Sequence, residues 1–230
     1  MADLNELQDV VKQLHQTLSS RNPSGGPALL SRAKLALLHL NALLPTPRTP
    51  QPHLLAAREV LELGAMLSIR LQDPEGFTRY FQQLQPFYAL PTNVLPKEQG
   101  NSSKITGLYL LLLLSQGDYA GFHTLLETLE VAAQEAREKN GGGQGGKGGL
   151  EDDEFIQYPI RLEQALMEGS YDRVWGETKR ERVPSPEFGV FSEVRSLTAL
   201  SLALQLLQYM LTFDMTGPNR NHPIRDRLVL

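Results

Sequence analysis

An all-α array of stacked helical hairpins is the fold this sequence predicts, on three observations. The first is a recurring turn. Asp73-Pro74-Glu75-Gly76-Phe77 leads into an apolar helix pattern ending near Leu84, and Asp118-Tyr119-Ala120-Gly121-Phe122 repeats it 45 residues later, ending at Leu129. A looser third copy, Ser170-Tyr171-Asp172-Arg173-Val174, follows after 52 residues, with Gly169 before it as Gly117 stands before Asp118. A period of about 40 to 45 residues marks helical repeats, whose units cannot bury their apolar faces alone and therefore stack. The longer interval contains a glycine-rich stretch, read as an insertion. The second observation is composition: 42 Leu stand against 5 Ile and 10 Val, a balance that suits helices rather than strands. The third is that no segment shows a strand-like alternation bounded by turn residues.

Taken in order, residues 3–20 form a first helix, with Leu4, Leu7, Val11, Leu14 and Leu18 as an apolar seam. Arg21 to Pro27 breaks it. A second helix is predicted over 28–44, with Leu30, Ala33, Leu37, Leu40 and Leu44 on one face, stopped by Pro45, Pro47, Pro50 and Pro52. The third, over 53–71, buries Val60, Leu63, Leu67 and Leu71. Gly64 lies inside it, at a cost of about 1 kcal/mol against Ala, which points to a close helix–helix approach. Asp73 caps the fourth helix and Pro74 suits its first position. Phe77, Tyr80, Phe81, Leu84 and Tyr88 give that helix an aromatic face. After a loop from Pro91 to Gly100, the fifth helix, 103–116, is apolar all round from Leu108 to Leu114, as a central helix is. Gly117 ends it and Asp118 caps a sixth, 118–138. Gly141 to Gly149 reads as a flexible insertion. Tyr158-Pro159 starts another helix through Gly169, Ser170-Tyr171 begins the next, and a last one starts near Glu187.

Composition narrows the function. At 230 residues the chain can bury one large core. A net charge of −4 argues against nucleic acid as a partner, because phosphate binding needs a basic face. With no Cys there is no disulfide, thiol catalysis or thiolate metal site. Met1 to Glu6 lacks a signal-peptide pattern. The longest purely apolar run, Leu108 to Leu114, is far short of the ~20 residues of a membrane span. Leu197 to Phe213 is longer but interrupted by Thr198, Ser201, Gln205, Gln208 and Thr212, and reads as a soluble helix. Cytoplasm and nucleus are the expected location.

Several near misses carry no chemistry. Gly141 to Lys147 fits the first seven positions of a phosphate-binding loop, but Gly148 stands where the metal-ligating Ser or Thr belongs, and no buried strand precedes it. His15, His39, His53, His123 and His222 form no metal-ligand pair; His123 and Glu127, four apart, suit a surface pair. Glu151 to Glu154 reads as a solvated face favoured by the helix dipole downstream. No nucleophile elbow occurs. No residue is assigned a catalytic, cofactor-binding or metal-binding role, and Phe77, Tyr80, Phe122 and Trp175 are read as structural.

From Leu54 to Val194 the chain resembles one family. Ala57 to Ala65 with Phe77, Tyr80 and Leu84 carries the likeness, as does Leu112-Leu113-Leu114-Ser115-Gln116 with Phe122-His123-Thr124, Leu126 and Glu127. Most specific is Pro159-Ile160, Leu162-Glu163-Gln164 and Leu166 to Val174. These stretches resemble the PCI-domain family of non-ATPase subunit twelve of the 26S proteasome regulatory-particle lid. The resemblance implies an α-solenoid of tetratricopeptide-like hairpins. It implies a non-catalytic scaffold, without cofactor, that packs on other lid subunits in a hetero-oligomer, completes lid assembly and serves ubiquitin-dependent degradation. Partners outside that set (nucleic acid, membrane, small-molecule substrate) are not implied. The alternative is a scaffold subunit of a related PCI complex, the signalosome or translation initiation factor three.

Family members continue past the position of Val194 into a winged-helix module. No match to it follows Arg195, and the domain reading is therefore 1–139 helical repeats, 140–150 insertion, 151–194 further repeats, and 195–230 an atypical helix and disordered tail. The loss of resemblance inside a predicted helix suggests non-native family sequence after Val194, as a retained intron or a truncated isoform would leave. Sequencing the transcript across the Val194 codon tests this; a single read-through message contradicts it.

Overall fold

The described residues form eight helices, which follow from the turn residues more than from the helix interiors. They are α1 (Ala2–Ser19), α2 (Gly26–His39), α3 (Gln51–Arg70), α4 (Pro74–Tyr88), α5 (Ser102–Gln116), α6 (Tyr119–Lys139), α7 (Glu154–Met167) and α8 (Tyr171–Glu177). This is a computed structural model, and it describes residues 2–20, 24–46, 49–91, 94–96, 100–139, 153–177 and 183–188. No strand occurs among the described residues, which lie in one compact unit, Met1–Ser192. The predicted helix at 197–213, the Gly141–Gly149 insertion and all but the start of the helix near Glu187 lie outside them.

Packing follows chain order. α1 packs on α2, α3 on α4, α5 on α6 and α7 on α8. The first helices of successive pairs also meet, α1 with α3, α3 with α5 and α5 with α7. These odd-numbered helices form the spine of an all-α solenoid. The burial pattern agrees. α3 buries residues on every side, from Leu54 to Ile69, and α5 buries every residue from Ile105 to Leu114 except Tyr109. An amphipathic stripe alone would expose half of each helix.

Three turns share one hydrogen-bond pattern. The turn after α3 passes through Gln72 with φ of 57°, that after α5 through Gly117 with φ of 74° and that after α7 through Gly169 with φ of 67°. In each, the next residue donates its N–H to a carbonyl five positions back: Asp73 to Ser68 at 2.9 Å, Asp118 to Leu113 and Ser170 to Ala165 at 3.0 Å. That is the left-handed C-terminal motif that satisfies orphan helix carbonyls. The following helix is then capped. Asp73 Oδ1 accepts the Gly76 N–H and Asp118 Oδ1 accepts the Gly121 N–H, both at 2.9 Å. Gly76 and Gly121 recur because a Cβ at either would collide with the capping carboxylate.

Element boundaries depart from expectation at α2 and α7. α2 ends at His39, not Leu44, because Asn41 turns left-handed (φ 49°) and the Ala42 N–H bonds back to Leu37 O at 3.0 Å. Leu44, expected on the buried face, is 68% exposed. Leu71, expected in the stripe of α3, sits at its C-cap and is exposed. α7 begins at Glu154 rather than Tyr158, because Asp153 caps it by accepting the Phe155 N–H at 3.1 Å. Pro159 is therefore inside the helix. It cannot donate to the Phe155 carbonyl, and that oxygen lies directly against Gly107 of α5. No side chain larger than hydrogen fits at Gly107, so α5 and α7 approach backbone to backbone. α5 packs more extensively on α7 than on its own hairpin partner α6.

Candidate functional site

A chain of stacked hairpins offers surfaces, so the site is built from what fixes each surface and what it presents. At the α3–α4–α5 junction, Arg58 and Glu62 lie one turn apart on α3, both almost fully buried. Glu62 Oε2 accepts the Asn101 backbone N–H at 3.0 Å and its side-chain amide at 3.2 Å. Tyr88 Oη donates to Glu62 Oε1 at 3.3 Å, and Arg58 donates to the Pro96 carbonyl at 2.6 Å. Arg58 Nε lies 3.8 Å from Glu62 Oε1. The pair thus holds both ends of the Pro91–Gly100 connection onto α3. Burial pushes the Glu62 carboxyl above its ordinary value, against the opposing pull of the Asn101 N–H and the Arg58 charge. Burial, then the Glu62 charge, pushes the Tyr88 hydroxyl up as well.

At the α5–α7 junction, Phe188 packs on Phe155 and on Tyr158, with ring centroids 5.8 Å apart in both cases. Lys104 Nζ pairs with Glu187 Oε2 at 3.0 Å. Burial raises the Glu187 carboxyl, but the hydrogen bonds from Lys104, its own backbone and Ser185 outweigh it and hold the group below its ordinary value. The 183–188 segment is therefore clamped to α5 and α7 by an aromatic cluster on one side and an ion pair on the other.

The singled-out residues divide clearly. Phe77 and Phe122 are fully buried, and Tyr109 stacks on Phe81 at 3.8 Å. Tyr80 is half-buried over Gly64, where a Cβ would come within 2.5 Å of its ring; that is the close approach the interior glycine predicts. The Trp175 side chain lies outside the described residues. His123 does not pair with Glu127. It faces Glu163 of α7 across 3.5 Å instead, since the two helices flank α5 and the buried Glu163 points toward α6. His15 contacts Glu59 of α3 at 3.0 Å. Among the described residues no group of His, Asp and Glu is arranged to hold a metal ion, and no helix is long and apolar enough to cross a membrane.

One surface was not anticipated. Leu35 and Leu38 on α2 are 58% and 57% exposed, and Leu43 and Leu44 on the turn after it are exposed too. Ser31, Lys34, Leu35, Leu38, Leu43 and Gln83 line an open groove of about 410 Å³. The leucine-rich pattern of α2 conceals it, because the spacing predicts one buried face.

The α5-to-188 body coincides with a family boundary. Residues 100–191 match the CSN8/PSMD8/EIF3K family. Over this segment, two-fifths of its length, the chain is similar to that family. The match opens at the Asn101 anchor and closes just past the Phe188 clamp. Over a longer span the chain is 31% identical to the 26S proteasome regulatory subunit RPN12 of Saccharomyces cerevisiae, across 192 residues that make up 82% of this chain and 65% of that protein. It is 32% identical to the 26S proteasome non-ATPase regulatory subunit 8 homolog A of Arabidopsis thaliana, over 74% of this chain and 57% of that protein. Schizosaccharomyces pombe rpn12, also a 26S proteasome regulatory subunit, is 30% identical over 84% of the chain and 60% of its own length. The chain thus spans about three-fifths of the length of the curated relatives it matches.

Proposed function

We propose that the chain is a non-catalytic structural subunit of the 26S proteasome regulatory-particle lid, acting in lid assembly and so in ubiquitin-dependent protein degradation. What carries the reading is the likeness at about 30% identity to proteins of two yeasts and a plant that are all named as 26S proteasome regulatory subunits. The family name also covers CSN8 and EIF3K, yet the relatives of comparable identity bear proteasome names, which disfavours the signalosome and initiation-factor alternative. The reading assigns no catalytic, cofactor or metal residue and divides the chain into repeats at 1–139 and 151–194 around an insertion, with 195–230 apart. Its partners are other lid subunits, not nucleic acid, membrane or a small molecule. Its place is the cytoplasm and nucleus.

The experiment is co-expression of the full chain with the remaining lid subunits of its own organism, followed by native gel electrophoresis. A complex containing the chain supports the reading. A lid that forms without it and never takes it up contradicts the reading.

A further inference from the structure

We propose that the exposed leucine face of α2 is a docking groove for an amphipathic helix of a neighbouring subunit, one flanked by acidic residues. The inference rests on the assembly reading above. Leu30, Ala33 and Leu37 of α2 are buried, and Leu35 and Leu38 project elsewhere, more than half exposed. A surface helix ordinarily turns polar residues to that side. Leu43 joins them in the same groove because Asn41 folds the chain back after α2. Leucines three positions apart on one helix, beside a third from a turn, fit the spaced apolar anchors of a partner helix.

Charge selects the partner. α2 carries Arg32 and Lys34 and no Asp or Glu, although the whole chain is at −4. Arg32 is already met by Glu6 at 3.5 Å. Lys34 lines the groove and rests 4.2 Å from the Tyr80 ring centroid, and no carboxylate pairs with it among the described residues. It offers a held but uncompensated cation at the rim. Ser31 and Gln83 add neutral hydrogen-bonding groups, giving the apolar centre and polar rim of a protein interface. An acidic flank on the docking helix complements Lys34; a basic one is repelled.

The test uses the full chain in its own cells. A photo-crosslinking amino acid is placed at Leu38, and the assembled particle is isolated and crosslinked peptides sequenced. The expected product joins position 38 to a helical, leucine-bearing, acidic-flanked segment of another subunit. In parallel, a Leu35→Asp/Leu38→Asp variant is expected to enter the particle about tenfold less than the unsubstituted chain, and Lys34→Glu severalfold less. The crosslinking arm does not depend on how the double variant folds. Crosslinks that end within this chain, on a second copy of it, or on a basic or non-helical segment would overturn the proposal. Equal entry of the double variant and the unsubstituted chain would overturn it alone. Absence of the unsubstituted chain from the particle would overturn the assembly reading and this inference together.

Discussion

Glu62 shows how a single residue sets the architecture around it. Truncating it as Glu62→Ala leaves Arg58 buried without its partner and frees the Asn101 amides, and the expected cost is about 3–5 kcal/mol. Replacing both charges with apolar residues of similar volume, as Arg58→Met with Glu62→Leu, is expected to recover most of that loss; urea denaturation of the three proteins checks it. The pH dependence has a definite sign. With its pKa raised above 4.5, Glu62 binds a proton more tightly folded than unfolded. Its contribution to stability is therefore full below 4.5 and is lost as pH climbs through the folded value. The stability of the unsubstituted chain relative to Glu62→Gln should fall as pH rises through that window; a flat difference would count against a buried, protonatable carboxyl. The two interior glycines differ in their neighbours. At Gly64 a methyl meets the Tyr80 ring, whereas at Gly107 it meets the fixed Phe155 backbone. Gly64→Ala is expected to cost about 1–3 kcal/mol, and Gly107→Ala more, because only a shift of α5 against α7 can relieve it. Gly64 could be anticipated from its misplacement in a helix. Gly107 and the Arg58–Glu62 pair could not, because their partners lie 26 to 48 positions away. The hint is an Arg and a Glu at i, i+4 spacing among the apolar residues from Leu54 to Ile69.

At the scale of elements, the repeat is a repeat of caps. Asp73→Ala and Asp118→Ala are each expected to cost about 1 kcal/mol, and by similar amounts because the two caps have the same geometry. Gly76→Ala and Gly121→Ala displace the cap but gain about 1 kcal/mol of helix propensity, so they should be close to neutral. Thermal melts of the four variants separate a true shared turn from a chance likeness: a large difference between the paired positions would contradict it. Helix existence is legible across the described residues, from leucine spacing and from Asp-Pro and Gly-Asp punctuation. Boundaries were legible where the cap residue was unambiguous, as at Asp73 and Asp118. They were not where a stop or start signal had a rival. Pro45 predicts the end of α2, but Asn41 already adopts the left-handed turn. Tyr158-Pro159 predicts a helix start, but Gly107 gives the orphaned Phe155 carbonyl room inside α7.

At the largest scale, the described helices form a one-dimensional stack, and this is the most legible level of all. A period in the turns, an excess of Leu and an apolar α5 define which helices are central without any knowledge of side-chain contacts. What the period does not encode is which faces stay uncovered, since α2 and α5 are both leucine-rich and only packing distinguishes the exposed Leu38 from the buried Leu110. The proposed function rests on kinship with the regulatory subunits and on those outer faces. The central claim is that this chain is a stoichiometric scaffold within the proteasome regulatory particle. The measurement that tests it most directly is affinity purification of the tagged full chain from its own cells with quantitative mass spectrometry. The account predicts lid subunits in near-equal amounts to the chain. Recovery of chaperones alone, with lid subunits at background, would contradict it.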